Sequence, residues 1–104
     1  MNDAYRDMIR KTFQPDCGDH TLYCMVGLGG EVGEVMNLAQ KRMRGDFDPE
    51  FRNRVVDELG GVFYFLTQLC EQLRVTPEEV MEKNRLKLLS RLERGTVRGH
   101  GDDR

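Results

Sequence analysis

The strongest constraint on the fold is an apolar stripe in the second half of the chain. Val55, Leu59, Val62, Leu66, Leu69 and Leu73 follow one another at alternating spacings of four and three residues. That period puts all of them on one side of an α-helix, whereas a strand requires a period of two. A helix with such a stripe has to bury it against other helices, and antiparallel neighbours suit it best. The run from Val62 to Leu66 would pass for a buried strand in isolation, but it sits inside the longer helical pattern. Asp48-Pro49 predicts where this helix starts, with the aspartate as N-cap and the proline at the first helical position.

Three more helices are predicted around it. The first covers about Asp3 to Phe13 and is stopped by the loop Gln14-Pro15-Asp16-Cys17-Gly18. The second covers about Asp19 to Arg44, with Leu28, Val32, Val35 and Ala39 as its apolar face, and Gly45-Asp46 ends it. The fourth starts at Thr76-Pro77-Glu78-Glu79, where Thr76 and Glu79 make a capping box. It continues through Val80, Leu86 and Leu89 to about Glu93, with Gly95 as its stop. A charged, glycine-rich tail follows over residues 95–104. The predicted fold is all-α, a bundle of about four helices forming one domain over residues 1–104.

A chain of 104 residues buries only about two-thirds of its unfolded surface, so a core shared with a second subunit would bury more. The expected assembly is a homo-oligomer, either dimer or tetramer. The net charge of −2 gives no electrostatic case for a nucleic-acid polymer as partner. No apolar run approaches the roughly 18–20 residues that span a membrane, and MNDAYRDMIRK lacks the apolar centre of a secretion signal. Three cysteines without a CxxC pair are expected to be free thiols in a reducing cytoplasm. Met25, Met36 and Met43 are expected as core filler, and Phe63, Tyr64 and Phe65 as core or subunit interface. His20 is expected to be structural or solvated. His100, in the tail, is a candidate ligand contact.

Gly27, Gly29, Gly30 and Gly33 all fall inside the second helix. Each costs a helix roughly 0.5–1 kcal/mol relative to alanine. The stretch GLGGEVG lacks the Lys-Ser/Thr of a phosphate-binding loop and the third glycine of a dinucleotide-binding turn. Close approach of another helix or of a ligand remains as the reason.

Glu31 and Glu34 lie three residues apart and share a helix face. Their row, Gly27, Glu31, Glu34 and Leu38, runs beside the apolar row of the second helix. In the third helix the row beside the apolar stripe is Arg54, Glu58, Gly61, Phe65 and Gln72. Antiparallel packing of the two helices would bring Glu31, Glu34 and Glu58 together. Like charges at a packed interface repel and are costly to desolvate, and a bound cation relieves both effects. Oxygen donors without clustered histidine or cysteine favour Mg²⁺, with Mn²⁺ as a substitute, over zinc. The same spacing also suits surface glutamates on solvated faces.

The stretch GLGGEVGEV, then DELGGVFYFL, then EEVMEKNRLKLLSR resembles the MazG-like all-α nucleoside triphosphate pyrophosphohydrolases, over roughly Leu22 to Arg104. That family carries ExxE on one helix, ExxD on the next and a polar Asn/Lys segment on a later one. Glu31 and Glu34 match ExxE, Glu58 matches the first acid of ExxD, and Asn84, Lys87 and Arg91 match the later segment. Two positions depart from the pattern: Gly30 stands where many members have glutamate, and Gly61 stands in place of the ExxD aspartate. Asp57, one turn before Gly61, is the candidate substitute ligand, with pairing to Arg54 as its other reading.

The resemblance implies a cytoplasmic, Mg²⁺-dependent hydrolase that splits a (d)NTP into (d)NMP and pyrophosphate in nucleotide-pool housekeeping. It implies metal ligands Glu31, Glu34, Glu58 and Asp57, with Glu34 as the candidate general base. It further implies substrate contacts from Asn84, Lys87 and Arg91, and from Asp102 and Arg104 as part of a closing tail. The alternative is a catalytically weakened nucleotide-binding or helical interaction protein that keeps the fold, for which Gly61 is the reason.

Overall fold

The computed structural model describes residues 1–95. They form four helices and no strand: α1 Asp3–Thr12, α2 His20–Met43, α3 Phe51–Leu73 and α4 Pro77–Arg94. The starts are written in local side chains. Asn2 accepts from the Tyr5 N–H at 2.9 Å, Asp19 from the Leu22 N–H at 3.0 Å, and Thr76 from the Glu79 N–H at 3.0 Å. Each satisfies an amide that the first helical turn leaves without an intrahelical acceptor. Gly45 beyond α2 and Gly95 beyond α4 have φ of +93° and +71°, the left-handed geometry that ends a helix at least cost in glycine.

The start of α3 differs from expectation. Asp48 is not its N-cap, and Pro49 is not helical. Asp48 closes a turn before the helix, accepting from the Glu50 N–H at 2.9 Å and from Arg54 Nε at 2.6 Å. Phe51 N–H reaches back to the Asp48 carbonyl at 3.1 Å, so the helix begins two residues later than Pro49. Arg54 is thereby paired with Asp48 and not with Asp57.

α2 and α3 pack against one another along their lengths, and α1 packs on α3. The α1 contact is built on Ile9, which is fully buried, and on Gln68, whose Nε2 donates to the Ile9 carbonyl. Thr12 and Tyr64 hydroxyls meet at 2.9 Å, and Arg10 grips both Glu71 oxygens at 3.1 Å. Cys24 and Cys70 are buried free thiols, and Cys17 is an exposed one.

The face of α2 turned toward α3 is not the apolar row Leu28, Val32, Val35 and Ala39. The inward positions are Cys24, Gly27, Leu28, Glu31, Val35 and Leu38, while Val32 and Ala39 are exposed. Met25, Met36 and Met43, expected in the core, are exposed as well. The α3 stripe is likewise only partly covered: Leu59, Leu66 and Leu73 are exposed, and the buried α3 side chains are Thr67, Gln68 and Cys70. The physical reason is the glycines: α2 rotates so that Gly27 accepts the Phe65 ring.

α4 is tied at its start. Glu78 receives the Met1 ammonium at 2.6 Å and Arg6 at 2.9 Å, and Pro77, Val80 and Met81 help enclose an apolar cavity of about 80 Å³ against α3. No other described helix packs extensively on α4, and Leu86, Leu88, Leu89 and Leu92 are exposed. The radius of gyration, 16.8 Å, exceeds the roughly 13 Å of a compact domain of about this length. The four helices therefore form an open arrangement, with three packed together and the fourth splayed. No helix of the described residues is long and apolar enough to cross a membrane.

Candidate functional site

Two close approaches define the register of α2 on α3. A Cβ at Gly27 would lie 2.4 Å from Phe65 Cε1, and a Cβ at Gly61 would lie 2.3 Å from Glu31 Oε2. Moving four residues forward on α2, from Gly27 to Glu31, corresponds to moving four residues back on α3, from Phe65 to Gly61. The helices are therefore antiparallel. One further step of three residues on each brings Glu34 level with Glu58. The carboxylate row of α2 thus meets the glutamate row of α3, as the spacing of the acids anticipates.

The electrostatics agree with that geometry. The Glu58 carboxyl is held above the ordinary glutamate range, first by partial burial between the helices and then by the charges of Glu31 and Glu34. A side-chain hydrogen bond with Glu31 and the charge of Asp57 act in the same direction. Among the described residues, no group of three or more His, Cys, Asp or Glu side chains is arranged closely enough to hold a metal ion. The helix register brings Glu31, Glu34 and Glu58 face to face without closing them into a ligand cage. Their chemistry, hard anionic oxygens beside a glycine, is compatible with Mg²⁺ or Mn²⁺.

The other residues expected at the site lie on α3 and α4 or outside the described residues. Asp57 precedes Glu58 on α3 and is exposed, close enough to add its charge to that of the trio. Asn84, Lys87 and Arg91 lie along α4; Asn84 is exposed, Lys87 half-buried and Arg91 buried. Because α4 is splayed, it does not lie along the α2 face that carries Glu31 and Glu34. Asp102 and Arg104, together with His100, lie outside the described residues. His20 is exposed, with its ring edge-on to Phe13 at 5.5 Å.

Of the four helical glycines in α2, only Gly27 shows the close approach that the sequence predicts. Gly29, Gly30 and Gly33 face open space. The third-helix aromatics divide their roles: Phe65 packs on Gly27, Tyr64 reaches α1, and Phe63 is exposed.

The chain is 40% identical over 85 residues to the Gene 37 protein of Mycobacterium phage L5, an alignment covering 79% of this chain and 75% of that relative. This chain belongs to the Gene 37 protein family. No family model matches the chain, and no solved structure matches it. The Gene 37 family name states no activity, so the reading of the site rests on its residues.

Sequence reasoning singled out Glu31, Glu34 and Glu58 but treated Gly61 only as a gap in the pattern. The available signal was the matched spacing of Gly27 to Glu31 and of Gly61 to Phe65, with small and large residues reversed between the two helices.

Proposed function

We propose that this protein is a Mg²⁺-dependent nucleoside triphosphate pyrophosphohydrolase, working in the cytoplasm as a homo-oligomer and releasing pyrophosphate from a (d)NTP. The observation that carries the reading is the antiparallel register that faces Glu31 and Glu34 with Glu58. Those are the positions at which the sequence resembles the MazG-like pyrophosphohydrolases.

Glu31, Glu34 and Glu58 would hold the ion, with Asp57 beside them. When bound, Mg²⁺ supplies neutralisation of phosphate charge at the scissile anhydride. The chain's own contribution is to orient and deprotonate. A carboxylate at the site accepts the proton of the attacking water, and Glu34 is the candidate. By the resemblance, Lys87 and Arg91, one turn apart on α4, would offer cations for the phosphates and Asn84 hydrogen bonds to base or sugar; because α4 does not lie along the α2 face of its own chain, they would come from a second copy in the homo-oligomer.

A homo-oligomer is supported by the unfinished burial of the single chain. Leu22, Met25, Val26, Met36, Leu86 and Leu92 are among the large apolar side chains left exposed, far more than scattered surface residues require. The second reading, a nucleotide-binding protein without turnover, is favoured by one observation: the three glutamates do not close into a ligand set.

The deciding experiment is pyrophosphate release from a panel of NTPs and dNTPs with and without Mg²⁺ or Mn²⁺, using Glu34→Ala as control. Metal-dependent release that is lost in the variant establishes the enzyme. Absence of release from folded protein that still binds nucleotide establishes the second reading.

A further inference from the structure

We propose that Gly61 is the seat of the Glu31 side chain. Its missing Cβ is what allows the Glu31 carboxylate to lie across α3 beside Glu58, so the glycine replaces the pattern's aspartate without being a defect. The steric part stands on geometry alone. The consequence for metal binding rests on the function proposed above.

Three successive atoms of Glu31 crowd the position a Cβ would take: Oε2 at 2.3 Å, Cδ at 2.5 Å and Cγ at 3.1 Å. The side chain therefore runs along the α3 backbone and does not merely touch it at the tip. The neighbouring Gly60 has nothing within 4 Å of its Cβ position. Two adjacent mid-helix glycines thus differ in what a Cβ would meet, and the exposed Gly60 is a built-in reference. Alanine is better than glycine in mid-helix, so helix propensity explains neither residue. Crowding by Glu31 accounts for Gly61 alone.

The obstructing group is the far end of a flexible side chain, unlike the Phe65 ring that meets Gly27. A Cβ at position 61 would displace Glu31 without breaking the helix pair. An aspartate there would add to the same Cβ a second negative charge aimed at Glu31. Restoring the pattern's aspartate would therefore remove a carboxylate from the trio as it supplied one.

The test is a cycle of denaturation midpoints in chelator, with Gly60→Ala and Gly61→Ala each made with Glu31 present and with Glu31→Ala. Gly60→Ala should raise the midpoint equally in both backgrounds. Gly61→Ala should give no gain, or a loss, while Glu31 is present, and should give the full gain once Glu31 is truncated. An equal gain for the two glycine variants with Glu31 present would overturn the proposal.

Calorimetric titration with Mn²⁺ tests the consequence. Gly61→Asp should weaken binding by about tenfold or more, whereas tighter binding would make position 61 a lost ligand and overturn the proposal. Failure of the unmodified protein to bind Mn²⁺ would overturn the metal-dependent function, and the chelator cycle would still decide whether Gly61 seats Glu31.

Discussion

The ring of Phe65 occupies the space that any side chain at position 27 would need, with Cε1 2.4 Å, Cδ1 2.6 Å and Cζ 2.7 Å from where a Cβ would stand. This contact sets the distance and rotation of α2 on α3, and through them the level at which Glu34 meets Glu58. Gly27→Ala is expected to lower stability by about 1–3 kcal/mol, the usual range for overpacking a fitted contact. In a Phe65→Ala background the same substitution should be neutral or stabilising. Urea denaturation of the four proteins measures the coupling.

Gln68 is a buried polar side chain whose amide donates to the Ile9 carbonyl near the end of α1. Gln68→Leu removes that bond, leaves the carbonyl only the long 3.4 Å contact from the Thr12 hydroxyl, and is expected to destabilise by about 1–3 kcal/mol. Because the bond joins α1 to α3, hydrogen exchange should report the loss chiefly in α1 amides, with α2 protected as before.

Glu58 titrates above the ordinary glutamate value of 4.5. A raised carboxyl makes its full contribution to stability below the unfolded value, and that contribution is lost as pH rises through the folded value. At neutral pH the ionised Glu58 therefore works against the fold. Glu58→Gln is expected to raise the thermal midpoint at pH 7 in chelator, and the gain should shrink to nothing on acidification to about pH 3, below the unfolded value, where both proteins are neutral at that position. A gain of equal size at both pH values would show that neither burial nor the neighbouring carboxylates hold Glu58 above its ordinary range.

Glu34→Gln is isosteric and, at an exposed position, removes the basic oxygen without disturbing the helix pair. If Glu34 accepts the proton of the attacking water, pyrophosphate release should fall by about 10²- to 10⁴-fold with the denaturation midpoint no lower than that of the parent. Loss of activity accompanied by loss of folded protein would remove the catalytic assignment.

The local rules of the chain were legible one segment at a time. Thr76 caps α4 where the sequence says, and Asp19, at the expected start of α2, caps that helix, because a cap is an interaction with an amide three residues away. Gly45 and Gly95 end theirs for the same reason, a backbone angle that belongs to one residue. Asp48 shows the limit of such rules. Its carboxylate is drawn to Arg54 and to a preceding turn, so the helix starts later than the Asp-Pro pair implies.

The sequence by itself determined that this chain is helical, where the helices begin and end to within a residue or two, and which acids share a row. Only the tertiary structure decided which row faces inward. Val32 and Ala39 belong to the more apolar row of α2, yet both are exposed, while Glu31 lies against α3. Periodicity ranks faces by polarity, but the rotation of one helix on another is set by volumes meeting across the contact. Here those volumes are a phenylalanine over Gly27 and a glutamate over Gly61, pairs whose members stand far apart in the chain.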